Sequence, residues 1–246
     1  VTTVQHYQMH EILLADLKPE TTYHYDVLGD GSPYGQGSFT TFPREIKPFR
    51  FVVVGDTRSG HDTHAAIVNR IMAEQPLFVV NTGDLVSDGL QIGDWEKFFE
   101  INRKLLCNTP YFPVLGNHEH DSPHYYEFFS LPQNERYYMF VVGDALFLVL
   151  DVEGYDYETP AYMDEHAREV WWSNQNSEYM EQQKAWVETM LTLHDSAGYI
   201  FVFFHEPLIS VKASRVEDAK LRRTFWDDLF ERHRVNVVFT GHDHHY

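Results

Sequence analysis

Cysteine is almost missing from this chain of 246 residues, and Cys107 is the only one. A single cysteine forms no internal disulfide, and it builds neither a Cys-based zinc finger nor an iron–sulfur cluster. Any bound metal must therefore rely on oxygen and nitrogen ligands.

Basic residues are also scarce, because 19 Lys and Arg stand against 37 Asp and Glu and give a formal net charge of −18 at pH 7. Such a surface repels polyanions, which excludes duplex nucleic acid as a stable partner. A small anionic substrate is still compatible with this charge wherever a bound metal ion reverses the local sign.

Long apolar runs are missing as well, since no stretch approaches the roughly 20 residues that cross a bilayer. The sequence therefore predicts no membrane span, and residues 1–6 do not resemble a signal peptide. The apolar fraction is 43%, which is ordinary for a globular protein with a buried core.

The first segment, residues 1–43, has short runs with partial alternation at Thr22–Val27 and Gly37–Phe42. The turn-forming residues Gly29–Pro33 separate them, which predicts antiparallel β structure. The segment is too short for a whole β-sandwich, which usually takes about 100 residues and seven strands.

From Phe49 onward, apolar runs end abruptly in polar turns that contain glycine. Runs of this length, rich in branched and aromatic residues, are typical of strands buried on both faces of a sheet. The five runs are Phe51–Val54, Leu77–Val80, Tyr111–Leu115, Tyr199–Phe204 and Val235–Phe239.

Segments with helical spacing lie between these strands, and a further strand pair is expected around the turn at Gly143-Asp144. The repeated order of strand, turn and helix predicts an α/β sandwich for residues 44–246. Examples of the predicted helices are Ala65–Met72, Glu178–Leu193 and Glu217–His233, and the strand pair is Tyr137–Val142 with Ala145–Leu150.

The stretch 153–176 is polar and aromatic and has no clear period, which predicts a long functional loop. Its aromatic residues either cover the site and stack on an aromatic leaving group, or pack the insertion onto the domain. These residues are Tyr155, Tyr157, Tyr162, Trp171 and Trp172.

Each of the five buried strands is followed by a short cluster of potential metal ligands. A lone Gly-Asp pair is usually a plain turn, but loops beyond the carboxyl ends of the strands in an α/β sheet share one crevice. Five such clusters are therefore expected to converge. They are Gly55-Asp56, Gly83-Asp84, Gly116-Asn117-His118-Glu119, His205, and Gly241-His242-Asp243-His244.

This set resembles the calcineurin-like metallophosphoesterases, over roughly Phe49 to the end of the chain. Glu119 in the third motif and the Glu-Pro pair after His205 place the resemblance on the side of the purple acid phosphatases. Leu17–Val27 is similar to the later part of a fibronectin type III sandwich, so residues 1–43 are expected to be a partial segment of that kind. The family continues with further strands after its last motif, which implies that the catalytic domain here lacks its C-terminal strands.

The resemblance implies two metal positions that share Asp84. The first position would consist of Asp56, Asp84 and His244. The second would consist of Asp84, Asn117, His205 and His242. Carboxylate, amide and imidazole ligands suit Fe, Mn or Zn, as divalent or trivalent ions. Two such ions about 3.5–4 Å apart activate a shared water as hydroxide and clamp the phosphoryl oxygens.

His118 is not a ligand in the family, and it is expected to stabilise developing charge or to protonate the leaving oxygen. It would act together with the bridging Asp84, and substrate contacts are expected from Asn117, His118 and Arg58.

Two positions of this sequence depart from the residues found in relatives. Ser87 stands where purple acid phosphatases have a Tyr that binds ferric iron, and Arg58 stands where many members have His. Arg58 is either a bidentate phosphate donor, a partner in a structural ion pair or a solvated side chain.

The leading function is metal-dependent hydrolysis of small phosphate monoesters. One alternative is a phosphodiesterase that acts on nucleotides or lipid head groups, and another is a binding module with a degenerate site. The resemblance also implies export to the periplasm or beyond the cell, whereas the oligomeric state stays open.

Overall fold

The computed structural model describes residues 9–153 and 165–244, and for residues 165–177 it describes the backbone alone. Nine strands, five α-helices and one short 3₁₀ helix (Ala213–Arg215) are present in this part of the chain. The strands are β1 (Thr22–Gly29), β2 (Ser32–Thr40), β3 (Phe51–Val54), β4 (Phe78–Asn81), β5 (Tyr111–Pro113), β6 (Tyr138–Val142), β7 (Ala145–Val149), β8 (Tyr199–Phe203) and β9 (Val237–Phe239). The helices are α1 (His61–Glu74), α2 (Ile92–Leu106), α3 (Pro123–Phe128), α4 (Glu165–Leu193) and α5 (Val216–Arg232).

The strands form three sheets. Strands β1 and β2 make an antiparallel hairpin, and β3, β4 and β5 make a parallel sheet in that order. The third sheet has the order β6-β7-β8-β9, in which β6 pairs antiparallel with β7 and the other pairs are parallel. All five predicted buried strands and the predicted hairpin are thereby confirmed, with ends that shift by one or two residues.

The two larger sheets pack face to face because each strand buries side chains on both sides. Phe147 of β7 joins Phe78 of β4 and Phe203 of β8 in the layer between the sheets. Its neighbours Leu146 and Leu148 point the other way, into a second core. This alternation is the period of two expected of a strand, and it gives an α/β sandwich with the sheets inside.

Helices cover the two outer faces of the sandwich. Val79 of β4 packs against Val68 of α1 and Leu105 of α2. On the other side, Val187 of α4 and Trp226 of α5 belong to the core of β7 and β8. The strands whose ends carry the site are therefore packed between a second sheet on one face and helices on the other.

Part of the predicted loop 153–176 is helical, because α4 begins at Glu165 rather than near residue 178. The stretch contains helix-forming residues such as Glu165, Ala167 and Arg168, but it has no apolar period. The aromatic side chains that were expected either to cover the site or to pack the insertion onto the domain lie outside the described residues.

The β1–β2 hairpin contacts the sandwich at the end of α2. The hydroxyl of Tyr25 donates a hydrogen bond to the carbonyl of Cys107 at 3.0 Å, and the amide of Ser38 donates to the same oxygen at 3.2 Å. The hairpin confirms the antiparallel β structure. Its fibronectin type III character and the domain boundary at residue 43 stay predictions.

Candidate metal centre

The predicted ligands lie just beyond the carboxyl ends of five parallel strands, in the order β3, β4, β5, β8 and β9. The backbone reverses sharply there. Four of the ligand residues have positive φ angles, a region that costs non-glycine residues energy and that is common at functional sites. They are Asp56 (φ 55°), Asp84 (φ 56°), His242 (φ 65°) and His244 (φ 53°).

Glycine beside the ligands permits the close approach of these loops. A Cβ on Gly83 would lie 2.6 Å from Nδ1 of His205, and Gly83 itself has a φ of 96°. A Cβ on Gly116 would lie 2.5 Å from the amide nitrogen of Asp84. Because neither contact is tolerable, both positions require glycine in this arrangement.

Three ligand atoms of the predicted second position converge. Oδ1 of Asn117 lies 3.2 Å from Nε2 of His205 and 3.0 Å from Nδ1 of His242, and the two nitrogens are 3.2 Å apart. Oδ1 of Asp84 is also 3.2 Å from Nε2 of His205. Metal bonds of about 2.0–2.2 Å place neighbouring ligands of a tetrahedral or octahedral ion roughly 2.8–3.6 Å apart. The four side chains therefore fit a transition-metal ion.

Hydrogen bonds set which nitrogen of each histidine faces the cluster. Nδ1 of His205 lies 2.7 Å from the carbonyl oxygen of Thr82, which only accepts, so Nδ1 carries a proton and Nε2 faces the ligands. His242 is turned the other way, with Nδ1 in the cluster and Nε2 3.8 Å from Oε1 of Glu206. A metal-ligating histidine ordinarily donates its other N–H to such a partner.

Asp56 and His244, which are predicted to form the first position together with Asp84, lie beside each other. Nε2 of His244 lies 3.0 Å from Oδ1 of Asp56, whose carboxylate also accepts the backbone N–H of His242 at 3.0–3.1 Å. Single ligand atoms of Asp56, Asp84 and His205 all lie within 4.8 Å of one another. The two positions are thus contiguous, although the His244 side chain is half exposed.

The electrostatics of the cluster favour a cation. Burial alone would raise the pKa of Asp84, but the hydrogen bond and charge of His205 and the backbone N–H of His118 lower it to about 2. Burial lowers the pKa of His205, yet Asp84, Glu153 and Asp56 together raise it to about 10. Without metal, the carboxylates therefore stabilise a protonated His205, whose positive charge occupies the region where a metal ion would bind. Burial and the neighbouring His205 lower the pKa of His242 to about 3, which suits a neutral ligand.

His118 and Arg58 both lie beside Asp84. Nδ1 of His118 donates to the carbonyl of Ser87 at 2.7 Å, which leaves Nε2 facing Oδ2 of Asp84 at 3.9 Å. Nε of Arg58 lies 3.2 Å from the same Oδ2. Arg58 was expected to be a phosphate donor, a partner in an ion pair or a solvated side chain, and the structure shows an ion pair with Asp84.

Glu119 has a function that its place in the third motif alone did not reveal. Its fully buried carboxylate accepts the backbone N–H groups of Gly116 at 2.7 Å, Asp84 at 2.9 Å, Leu85 at 2.8 Å and Val86 at 3.3 Å. Burial and the nearby Asp84 raise the pKa of Glu119 to about 8, although the backbone amides oppose this. Glu119 thus holds together the two loops that carry Asp84 and Asn117.

Glu206 is a second residue whose contribution the sequence did not reveal. One oxygen forms an ion pair with Arg222 of α5, whose Nε also donates to the carbonyl of Pro207 at 3.2 Å. The other oxygen faces His242. The Glu-Pro pair after His205 marks this residue in the sequence, but the contact between Glu206 and His242 exists only in the folded chain.

Solved structures share this fold. A purple acid phosphatase from yellow lupin (Lupinus luteus) seeds superposes with a TM-score of 0.70 at 18% identity, over 92% of this chain and 44% of the lupin chain. A dimetal phosphatase from Danio rerio superposes with a TM-score of 0.58 at 17% identity, over 80% of this chain and 82% of that chain.

Curated sequences add distant relatives. Purple acid phosphatase 23 of Arabidopsis thaliana is 25% identical over 97% of this chain and 57% of its own length. An uncharacterized protein of Mycobacterium tuberculosis is 25% identical over 95% of this chain and 49% of its own length. This chain therefore spans about half the length of the curated relatives it matches.

No helix among the described residues is both long enough and apolar enough to cross a membrane. The family model for calcineurin-like phosphoesterases matches residues 49–246, which include every metal ligand named above. On this match and the shared fold, the chain belongs to the calcineurin-like phosphoesterase family and is distantly related to the purple acid phosphatases.

Proposed function

We propose that this chain hydrolyses phosphate monoesters with two transition-metal ions, of Fe, Mn or Zn, at the first and second positions. The observation that carries the proposal is the convergence of Asn117, His205 and His242, whose ligand atoms lie 3.0–3.2 Å apart beside Asp84. The phosphatase names of the Arabidopsis, lupin and Danio rerio proteins support monoesters as the substrate class.

Such ions supply activation of water and neutralisation of charge on the phosphoryl oxygens. The protein contributes the geometry. Asp84 stays ionised because its pKa is lowered to about 2. Asn117 offers an uncharged amide, which orients ligands and substrate without adding negative charge near the phosphate.

His118 fits the function of proton donor to the leaving oxygen. Its ring is fixed by the 2.7 Å hydrogen bond from Nδ1 to Ser87, so a second proton resides on Nε2 when the ring is charged. The His118 side chain is itself partly exposed, whereas Asp84 beside it is buried. A charged imidazole there stabilises developing negative charge and transfers its proton to the departing alkoxide or phenoxide.

The direct test is the turnover of an aryl phosphate by the Asp84→Asn and His205→Ala variants. We expect each to lower turnover by at least about a thousandfold with an unchanged circular dichroism spectrum, since charge stabilisation at the phosphoryl group is lost. Asp218→Asn, at an exposed position of α5, is the matched control. Unchanged turnover in either site variant would refute the proposal.

The substrate class is separated by comparing aryl phosphate monoesters and diesters on one preparation. Faster hydrolysis of the diester would replace the monoester proposal with the phosphodiesterase alternative. Less than one transition metal per chain after purification without chelator, together with no activity on adding Mn or Zn, would favour the binding module. The expected export stays a prediction.

A further inference from the structure

We infer that Arg58 is a built-in cation at the bridging carboxylate, which makes the two metal positions unequal: the second binds its ion tightly and the first binds weakly and exchangeably. The inference rests on the proposed function, because it concerns the same centre. The two carboxylate oxygens of Asp84 contact different residues.

Oδ1 of Asp84 faces the second position. It lies 3.2 Å from Nε2 of His205 and accepts the backbone N–H of His118 at 3.1 Å. Oδ2 faces the opposite side, where Nε of Arg58 lies 3.2 Å away. The guanidinium therefore stands next to the oxygen that the second position does not use.

Arg58 is held there by Ser87, whose hydroxyl donates a 2.7 Å hydrogen bond to the Arg58 carbonyl. These are the two positions at which the sequence departs from relatives that place a metal ligand there. Instead of contributing ligands, the two residues bind each other. The first position thus retains Asp56, a shared Asp84 and the half-exposed His244.

The Arg58 contact is electrostatic in character. Nε is buried and makes no hydrogen bond to any described residue, despite its distance of 3.2 Å from Asp84. The guanidinium therefore acts on Asp84 through its positive charge rather than through a well-aligned hydrogen bond from Nε. Because Asp84 is nearly inaccessible to solvent, water and salt screen this charge poorly.

The cations near the second position are balanced differently. Arg222 is paired with Glu206, and Arg215 is paired with Asp243. The second position also has four ligands, of which His205 is fully buried. Coulomb repulsion from the Arg58 guanidinium therefore weakens the binding of an ion at the first position more than at the second.

The test is a titration of the chelator-treated chain with Zn²⁺ in a calorimeter, repeated with Mn²⁺ under electron paramagnetic resonance. We expect one ion to bind the wild-type chain at least about 100-fold more tightly than the second, and spin-coupled Mn pairs to form only at high Mn²⁺. In Arg58→Gln, the weaker affinity should rise at least about tenfold while the tight affinity stays unchanged.

Arg223→Gln is the charge-matched control, since Arg223 is exposed on α5 and pairs with Asp227. Two equally tight ions in the wild-type chain, or no greater tightening in Arg58→Gln than in the control, would overturn the inference and leave the proposed function intact. Absence of any tightly bound ion would instead count against the proposed function itself. If Arg58→Gln does not fold, Arg58→Met, which also removes the charge, is titrated in its place with the same expected result.

Discussion

Replacing Glu119 with glutamine tests how far the metal centre depends on one buried carboxylate. The two oxygens of Glu119 each accept two backbone N–H groups, at 2.7–3.3 Å. Glutamine keeps one oxygen and puts an NH₂ group in place of the other. Two of the four backbone N–H groups then lose their acceptor and face a donor.

Each buried N–H left without a partner costs about 1–3 kcal/mol, so the Glu119→Gln variant should lose roughly 2–6 kcal/mol of its free energy of unfolding. A typical domain has only about 5–15 kcal/mol in total. The loop that carries Asp84 should loosen as well, which weakens metal binding. Glu119→Ala removes both acceptor oxygens, which leaves all four N–H groups unpaired, and it also leaves a cavity, so the glutamine variant is the better test.

The assay is urea unfolding of the metal-free protein at about pH 9, above the Glu119 pKa of about 8, so that the wild-type carboxylate is ionised. Unfolding is followed by circular dichroism, with Glu96→Gln at an exposed position of α2 as the control. The reasoning would be refuted if Glu119→Gln unfolds within about 1 kcal/mol of the wild type, a difference smaller than the cost of one unpaired amide.

Three further predictions concern the same centre. Glu206→Gln should weaken metal binding by about 10–100-fold, because His242 loses its negatively charged partner; competition with a chromogenic chelator measures this. Gly83→Ala should reduce metal content below one ion per chain, since the new Cβ would lie 2.6 Å from His205. In metal-free protein, the pKa of His205 is raised to about 10 from an unfolded value near 6.5. Its contribution, on the order of 5 kcal/mol, should be fully present below about pH 6.5 and lost as pH rises through about 10, as urea midpoints measure.

Each of these has a result that contradicts it. Unchanged chelator competition in Glu206→Gln, relative to Glu181→Gln on α4, would mean that Glu206 serves only its ion pair with Arg222. A Gly83→Ala variant with full metal content would show that the loops have room to shift. A His205→Gln variant that loses the same alkaline stability as the wild type would assign that pH dependence to another group.

The buried strands were predictable because each is a continuous apolar run that serves two cores at once. Phe147 and Leu148 show why: adjacent residues of β7 enter different cores, so neither can be polar. Helix α2 was not among the helices named from the sequence, and its buried face includes the polar Asn102 beside Trp95, Phe98 and Leu105. The folded chain explains this residue, since the amide of Asn102 lies 3.2 Å from Nε2 of the buried His64.

The convergence of the candidate ligands was predictable, because the loops after buried strands share one crevice, and the structure brings Asp84, Asn117, His205 and His242 together. The supporting residues were not. Glu119 and Glu206 act through contacts that join separate loops, and no local pattern encodes such contacts.

The sequence by itself determined the chemistry of this protein: oxygen and nitrogen ligands placed after buried strands, in an acidic chain with one cysteine. Only the tertiary structure decided which atoms meet. The packing of the two sheets brings Oδ1 of Asp84 within 3.2 Å of Nε2 of His205. The hydrogen bond from Nδ1 of His205 to the carbonyl of Thr82 fixes the orientation of the imidazole ring. Arg58 illustrates the division, because its identity is visible in the sequence. Its effect on Asp84 depends on a distance of 3.2 Å between loops after β3 and β4, which only the fold sets.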